Sequence, residues 1–340
     1  MAKHDPKELQ ALLDEANGLL AKADWKKAVA VLDVLTDERP EDPRSVKLYA
    51  KAILLRGYCA SEMSLLSKAI EDYETALKLA EPLKDPLLQG ELNARLVNAH
   101  WRKGDRDDAI AYLDKAQKFV DATKDLWLGG LVHLERATLH MLVLKPEVVE
   151  KEYRDAILAL EKAGDMRELA RAYNNLGTNF LYREDFKRAA EIFEKCKKIA
   201  QRGGYDPYVA WGSFNRAGCL SELGMYKEAL AELDSAMPIL IRTHDDFGVE
   251  GAQQAYGLTY ARMKDWDKAE EHFLIARAMA KKCEMPFAEG EVLYDMARMY
   301  KWRGDKARAK RFFKDARAIF EKLVATHEVE KIDRDLKEMS

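Results

Sequence analysis

A motif of small and large apolar positions recurs about every 40 residues along the chain. A large apolar residue stands four positions after each small reference residue, and in all copies but the first a small residue stands seven positions after it. Because spacings of four and seven return to one face of a helix, each copy predicts an amphipathic helix. The eight reference positions are Ala28, Ala69, Ala109, Val149, Ala189, Ala229, Ala269 and Ala309.

The same register predicts a second helix upstream in each copy. Twelve residues before the reference position the residue is small in every copy but one, and short turns such as Gly104-Asp105 separate the two blocks. Glycine ends a helix readily, and aspartate caps the next one. One hairpin of two helices cannot bury its apolar face alone, so neighbouring copies must stack. The sequence therefore predicts an all-α solenoid of about eight helical hairpins.

The order of small residue, aromatic, turn, Ala, aromatic and Ala resembles the tetratricopeptide repeat. The fifth copy is nearest to its consensus, through residues 173–180, Asp185-Phe186 and Ala189-Ala190. The 40-residue period resembles the long-repeat subclass of the LGN-type G-protein-signalling modulators and kinesin light chains. HEAT repeats have a similar period, but their kinking proline and Asp/Arg pair do not recur here. The resemblance implies a right-handed superhelix in which first helices line a concave groove and second helices lie outside.

The register also predicts the organisation of the chain, a single solenoid over residues 1–340. The last segment is rich in charge, which is typical of the polar cap that a terminal repeat needs. The repeats are expected at 8–44, 45–86, 87–126, 127–166, 167–206, 207–246, 247–286 and 287–322, with a C-terminal capping helix at 323–339.

The first helix of each copy carries the residues expected to face a ligand. Their mixture of aromatic, amide and arginine side chains suits a peptide, since amides bind its backbone and guanidinium groups its carboxylates. For Asn175 and Asn215, the resemblance implies backbone binding, and the alternative is a hydrogen bond between neighbouring repeats. The predicted partner-binding residues are Asn98, Trp101, Arg102, Arg171, Asn174, Asn175, Thr178, Tyr182, Trp211, Phe214, Asn215, Gln254, Arg262, Tyr294, Arg298 and Trp302.

Charge and motifs favour a binding protein over an enzyme. The formal net charge is −3, and the predicted groove is only slightly positive, so a nucleic-acid track is disfavoured and a partly acidic peptide or helical segment fits better. The chain has no Gly-rich phosphate loop, H-E-x-x-H or nucleophile elbow. We therefore predict a non-catalytic protein–protein interaction scaffold. The alternative is a peptide- or ligand-responsive regulatory sensor, although the repeats leave no room for a helix-turn-helix.

The carboxylate clamp of heat-shock co-chaperones is a more specific possibility that the residues disfavour. Asn17 and Arg95 match two of its places, but Leu13, Leu55 and Glu91 occupy the others. Scattered cysteines without a C-x-x-C pair, and no apolar leader or membrane span, predict a cytoplasmic protein with reduced thiols.

Histidines and charged clusters predict no cofactor or metal. His133 and His140 lie seven apart on one helix, and His100 occupies the same repeat position as His140, but no third ligand is indicated. Paired acids such as Asp107-Asp108 are interpreted as helix caps. The basic run at 301–317 is expected to pair with the acidic tail rather than with nucleic acid.

Overall fold

The computed structural model describes residues 6–63, 65–141, 145–283, 285–323 and 325–339. These residues form seventeen α-helices and no strand, which confirms the predicted all-α repeat fold. None of the described helices is both long and apolar enough to span a membrane. The first helices of the hairpins are α1 (Pro6–Ala21), α3 (Pro43–Glu62), α5 (Pro86–Lys103), α7 (Leu126–His140), α9 (Met166–Tyr182), α11 (Asp206–Glu222), α13 (Asp246–Arg262) and α15 (Pro286–Arg303). The second helices are α2 (Trp25–Thr36), α4 (Leu66–Ala80), α6 (Arg106–Thr123), α8 (Pro146–Ala163), α10 (Phe186–Gly203), α12 (Tyr226–Arg242), α14 (Trp266–Lys282) and α16 (Lys306–Lys322), and the last helix is α17 (Thr326–Glu338).

Short turns with defined chemistry separate the helices. Gly104, Gly164 and Gly304 follow α5, α8 and α15 in the left-handed conformation, which costs glycine little. Aspartates stand at most of the helix starts and accept a hydrogen bond from the first turn, as Asp85 does from the Leu88 amide at 3.1 Å. The predicted turns are therefore confirmed at these positions. Asp105 is an exception, because its side chain makes no such bond.

The contact pattern divides the chain into two compact units. Unit one contains Met1–Arg183 and Lys198–Tyr208, and unit two contains Glu184–Lys197 and Val209–Ser340. Within each unit the core consists of the small and large apolar positions of the motif, and all eight reference residues are fully buried. In unit two, Ile332 of α17 joins the core of the preceding hairpin, as expected of a capping helix.

The small positions of the motif let a helix backbone approach a large side chain closely. Gly257 of α13 packs against the Phe273 ring of α14, and a Cβ atom at Gly257 would lie 2.6 Å from the ring carbon Cδ1. That distance is far inside van der Waals contact, and Phe273 is itself fully buried. The smallness of this position is therefore a steric requirement of the hairpin.

We expect Gly257→Ala to destabilise the protein by about 1–3 kcal/mol, because the added methyl group overpacks the Phe273 contact. Gly218→Ala in α11 is the matched control, since a Cβ there meets nothing within 4 Å. Alanine favours the helix over glycine, so Gly218→Ala should leave stability unchanged or raise it by about 0.5–1 kcal/mol. Urea unfolding of the full chain measures both, and equal stabilities of the two variants would contradict the steric explanation.

None of the four cysteines, all of which lie in the described residues, forms a disulfide. Cys59, Cys196 and Cys219 are buried, and Cys283 is partly exposed. Burial raises the pKa of Cys59 and of Cys219 to about 12, so both remain thiols at neutral pH. Cys283 is the most accessible of the four.

Candidate functional site

The predicted partner-binding residues are distributed over both units. Unit one contains Asn98, Trp101, Arg102, Arg171, Asn174, Asn175, Thr178 and Tyr182. Unit two contains Trp211, Phe214, Asn215, Gln254, Arg262, Tyr294, Arg298 and Trp302.

In unit one a buried ion network joins three first helices; it consists of Arg95, Glu135, Glu168 and Arg171. Arg95 Nη2 lies 2.8 Å from Glu168 Oε1, and Arg171 bonds Glu168 at 2.7 Å and Glu135 at 2.6 Å. Asn98 Nδ2 donates to Glu135 Oε2 at 3.2 Å. Arg95 also lies 3.3 Å from Glu91, and Arg167 lies 3.7 Å from Glu168, so three arginines face three glutamates. Asn98 and Arg171 are therefore engaged within the chain.

Electrostatics keep this network ionised. Burial alone would raise the pKa of Glu168, but the guanidinium groups of Arg171, Arg95 and Arg167 outweigh it and hold that pKa well below its usual range. Arg167 and Arg95 also lie over the Tyr58 ring, at 4.8 and 5.6 Å from its centroid. The carboxylate of Glu168 thus has several cationic neighbours inside the unit.

Other predicted residues of unit one also contact neighbouring repeats. Asn175 Nδ2 donates to Thr138 Oγ1 of α7 at 3.2 Å, which is the inter-repeat bond considered as its alternative role. Arg102 donates to the Ser61 carbonyl at the end of α3 at 2.9 Å. Tyr182, by contrast, is 55% exposed at the end of α9.

Unit one also contains an open cavity of about 670 Å³ that sequence reasoning missed. Trp127 Nε1 donates to Asp165 Oδ2 at 2.8 Å in its wall, so the indole orientation is fixed. Residues from α1, α7, α8, α9 and the end of α10 meet there. Three pairs among them, Trp127 and Arg167, Ala163 and Gly203, and Asp165 and Tyr205, are separated by the 40-residue repeat period. The lining residues are Asn17, Ala21, Trp127, Ala163, Gly164, Asp165, Met166, Arg167, Gly203 and Tyr205.

In unit two the residues Glu222, Arg262, Arg298 and Trp302 form what we call the Trp302 platform. The guanidinium carbons of Arg262 and Arg298 lie over the Trp302 ring, 4.2 and 4.9 Å from its centroid. Glu222 bonds Arg262 and lies 3.6 Å from Arg298. Trp302 remains 36% exposed. Three of the predicted residues are therefore brought together, with a carboxylate that holds the two arginines side by side.

A carboxylate cluster adjoins the platform and consists of Glu250, Glu291 and Asp295. Asp295 accepts hydrogen bonds from Gln254 at 2.7 Å and from Arg298 at 3.3 Å. Glu250 is only 2% exposed, and within the described part of the chain its Oε1 has no hydrogen-bond partner. Its charge is thus not compensated by an observed hydrogen bond at that atom.

Burial raises the pKa values of the two glutamates in the cluster. Burial, together with the negative charge of Asp295, raises the pKa of Glu250 to about 7. Burial and the charges of Asp295 and Glu250 raise the pKa of Glu291 to about 8, and Lys331 only partly offsets this. The two groups therefore titrate near neutral pH.

The remaining predicted residues of unit two lie along the same helices. Trp211 Nε1 donates to Asp245 Oδ2 at 2.6 Å, and the Tyr294 hydroxyl donates to Asp335 of α17 at 2.8 Å. Phe214 and Asn215 are partly buried on α11. Lys301 also pairs with Asp335, at 2.8 Å, which confirms the predicted contact between the basic run and the acidic tail.

Repeated helical hairpins with small residues at their contacts define an α-helical repeat protein. The family model for the tetratricopeptide repeat matches residues 168–242 and 250–322, and a second model for the same repeat matches residues 90–119. The chain belongs to the tetratricopeptide repeat family. No curated protein sequence matches the chain.

Several solved structures share this fold at low identity. The Rap protein complexed with competence and sporulation factor is 14% identical, with a TM-score of 0.64 over 98% of this chain and 100% of that one. The apo quorum sensor NprR from B. thuringiensis is 13% identical, with a TM-score of 0.56 over 98% and 99%. A signal-transduction ATPase with a tetratricopeptide repeat sensor, from Pyrococcus horikoshii, is 16% identical, with a TM-score of 0.58 over 96% of this chain and 50% of that one. At these identities the likeness establishes the fold alone.

Proposed function

We propose that the protein is a non-catalytic interaction scaffold that binds a peptide or helical segment of a partner protein. The Trp302 platform is the observation that carries this proposal. Tryptophan and arginine are the residues most enriched at binding hot spots, and here two arginines are held over a partly exposed indole. Gln254 is partly exposed beside the platform and adds an amide group that can meet a peptide backbone.

The pairing of the groove arginines supports a protein partner rather than a nucleic acid. Arg171, Arg262 and Arg298 each pair with a carboxylate of this chain, so their charges are already balanced. A phosphate backbone needs several cations that it can neutralise. A peptide needs few net charges, and it can use the apolar faces of the aromatic residues.

The charge balance also refines the predicted partner. Acidic residues of a partner would have to compete with Glu222 for Arg262 and Arg298. A basic side chain would instead approach the carboxylate cluster at Glu291, which is partly exposed and lies near the negative charges of Asp295 and Glu250. We therefore propose a segment that contains at least one lysine or arginine in addition to any acidic residues that it carries.

A peptide library displayed on phage, with the full chain as bait, supplies a probe for this proposal. We expect Trp302→Ala to weaken the selected peptides at least about tenfold in fluorescence anisotropy, because it removes a hot-spot side chain. Leu158→Ala is the control, since Leu158 is an exposed apolar residue of α8 in unit one. Unchanged affinity in Trp302→Ala would exclude the platform as the binding site, and selected peptides without basic residues would exclude the proposed charge preference.

A peptide-responsive sensor is the second candidate function. It is supported by the match over nearly the full length of both chains to Rap, solved with competence and sporulation factor, and to the quorum sensor NprR. A sensor must have two conformations that its ligand distinguishes. Small-angle scattering with and without a selected peptide separates the two functions: a changed profile favours the sensor, and an unchanged profile favours the scaffold.

A further inference from the structure

One side-chain cluster in unit one lies outside the proposed binding surface. It is formed at the turn between α5 and α6 by His100, Asp105 and Asp108. His100 Nδ1 lies 3.5 Å from an oxygen of Asp105 and 3.8 Å from an oxygen of Asp108. One potential ligand atom from each of the three residues lies within 4.8 Å of the other two. A nitrogen and two oxygens thus converge on one point.

The state of His100 is an independent indication of a ligand. Its side chain is buried, with 7% of the residue exposed, and neither ring nitrogen makes a hydrogen bond within the described residues. The Tyr112 ring stacks on the imidazole, with centroids 5.3 Å apart and planes inclined by 20°. An imidazole buried without a hydrogen bond is costly, and a bound cation would satisfy the nitrogen that points at the two carboxylates.

Asp105 differs from the other helix-capping aspartates in a way that fits this arrangement. Asp85, Asp125 and Asp165 each accept a hydrogen bond from an amide of the helix that they begin. Asp105 begins α6 but makes no such bond, and its Oδ2 atom lies near His100 and 3.2 Å from Lys103 Nζ. The sequence predicted helix caps at this turn and no metal ligation by His100. The structure differs because the carboxylate of Asp105 turns towards the end of α5.

We propose that His100, Asp105 and Asp108 bind a divalent first-row transition metal ion such as Zn²⁺. Imidazole nitrogen suits zinc, cobalt and nickel, whereas calcium and magnesium prefer all-oxygen sites. Three protein ligands leave positions for water, and the exposure of Asp108 gives the ion a path from solvent. Burial of His100 and its contact with Tyr112 hold the ring in place.

Lys103 is the group that opposes binding. Its ammonium lies beside Asp105, and it would have to leave before a cation approaches that oxygen. Its side chain is 44% exposed, so it can move into solvent. We therefore expect Lys103→Met to tighten metal binding, since the substitution removes a competing positive charge and keeps the apolar stem.

Isothermal titration of the full chain with Zn²⁺ tests the site, with the Cys283→Ser variant as background to remove the accessible thiol. We expect one bound ion per chain and a loss of affinity of at least about tenfold in Asp108→Asn. Asp107→Asn is the matched control, because it removes the same charge from the neighbouring residue, which is not part of the cluster. Mg²⁺ at millimolar concentration should not displace Zn²⁺.

Two outcomes would overturn the proposal. Equal Zn²⁺ affinity in Asp108→Asn and Asp107→Asn would show that binding, if present, depends only on net charge. Absence of stoichiometric binding in the background protein would exclude the site directly. The absorption spectrum of bound Co²⁺ gives a second readout: nitrogen and oxygen ligation supports the site, and a thiolate charge-transfer band would assign the ion to a remaining cysteine instead.

Discussion

Glu168→Ala lowers the free energy of unfolding by about 3–5 kcal/mol, the usual cost of removing one partner from a buried ion pair. The Glu168 side chain is 1% exposed and bonds both Arg95 and Arg171. Its loss leaves Arg95 with the longer contact to Glu91, at 3.3 Å, while Arg171 keeps its pair with Glu135, so the buried positive charge is less well compensated. Urea unfolding of the full chain, followed by tryptophan fluorescence, measures the change.

Asp155→Ala is the control for this prediction. Asp155 pairs with Lys151 along α8 of the same unit, but the two side chains are 38% and 75% exposed, respectively. Such a surface pair contributes about 0.2–1 kcal/mol, so the control should lose little. A similar loss of stability in both variants would mean that burial does not strengthen the network.

The pH dependence gives Glu168 a separate signature. Folding lowers the pKa of Glu168 from an ordinary value of 4.5, so its contribution is complete above that value. The contribution is lost as the pH falls below about 4.5 towards the folded pKa, because the unfolded chain then binds the proton first. Glu168→Gln should therefore show a smaller loss of stability on acidification than the unsubstituted protein.

The periodic pattern predicted the hairpins well because it reflects sterics. Gly257 must be small because the Phe273 ring packs against it, and both residues belong to the same copy of the motif. Helix ends were also predictable from local sequence, because Gly164 ends α8 in the left-handed conformation and Asp165 caps the first turn of α9. Local requirements leave local signals in the sequence.

The pairing of the groove residues could not be predicted from periodicity. The spacing placed Arg171 on the inner stripe, but its partner Glu135 belongs to the preceding repeat. One signal was available: the position that carries Asn175 and Asn215 in two copies carries Arg95 and Glu135 in two others. Opposite charges at one repeat position indicate that first helices of different copies form ion pairs, but the position alone does not identify the partners: Arg95 pairs with Glu168, and Glu135 with Arg171.

Contacts between residues of different repeats are predicted even less well by the repeat pattern. The platform joins Glu222, Arg262 and Trp302 from three successive first helices, and only two of these were among the expected partner-binding residues. The role of Glu222 depends on side-chain conformation, which the repeat register does not determine. The site could therefore be placed on a helix face from sequence, while its charge balance required the structure.

Glu250→Gln should stabilise the protein at pH 8 and have little effect at pH 4.5. Folding raises the pKa of Glu250 from 4.5 to about 7, so the folded state disfavours the carboxylate. The contribution of Glu250 to stability is then most favourable below about pH 4.5, and it falls as the pH rises through the window up to 7, by as much as about 3 kcal/mol. Glutamine has no charge to bury, so the variant is spared this loss.

Urea unfolding at the two pH values measures the effect. Glu271→Gln on the exposed side of α14 is the control, since its free energy of unfolding relative to the unsubstituted protein should be the same at both pH values. A stabilisation of Glu250→Gln that is the same at both pH values would contradict the role of ionisation. The sign of the effect also bears on function. The ionised Glu250 carboxylate destabilises the free protein, and a positive charge of a partner bound near the cluster would reduce that cost. A selected peptide with a lysine or arginine should therefore stabilise the unsubstituted protein more at pH 8 than Glu250→Gln, and the difference should disappear near pH 4.5.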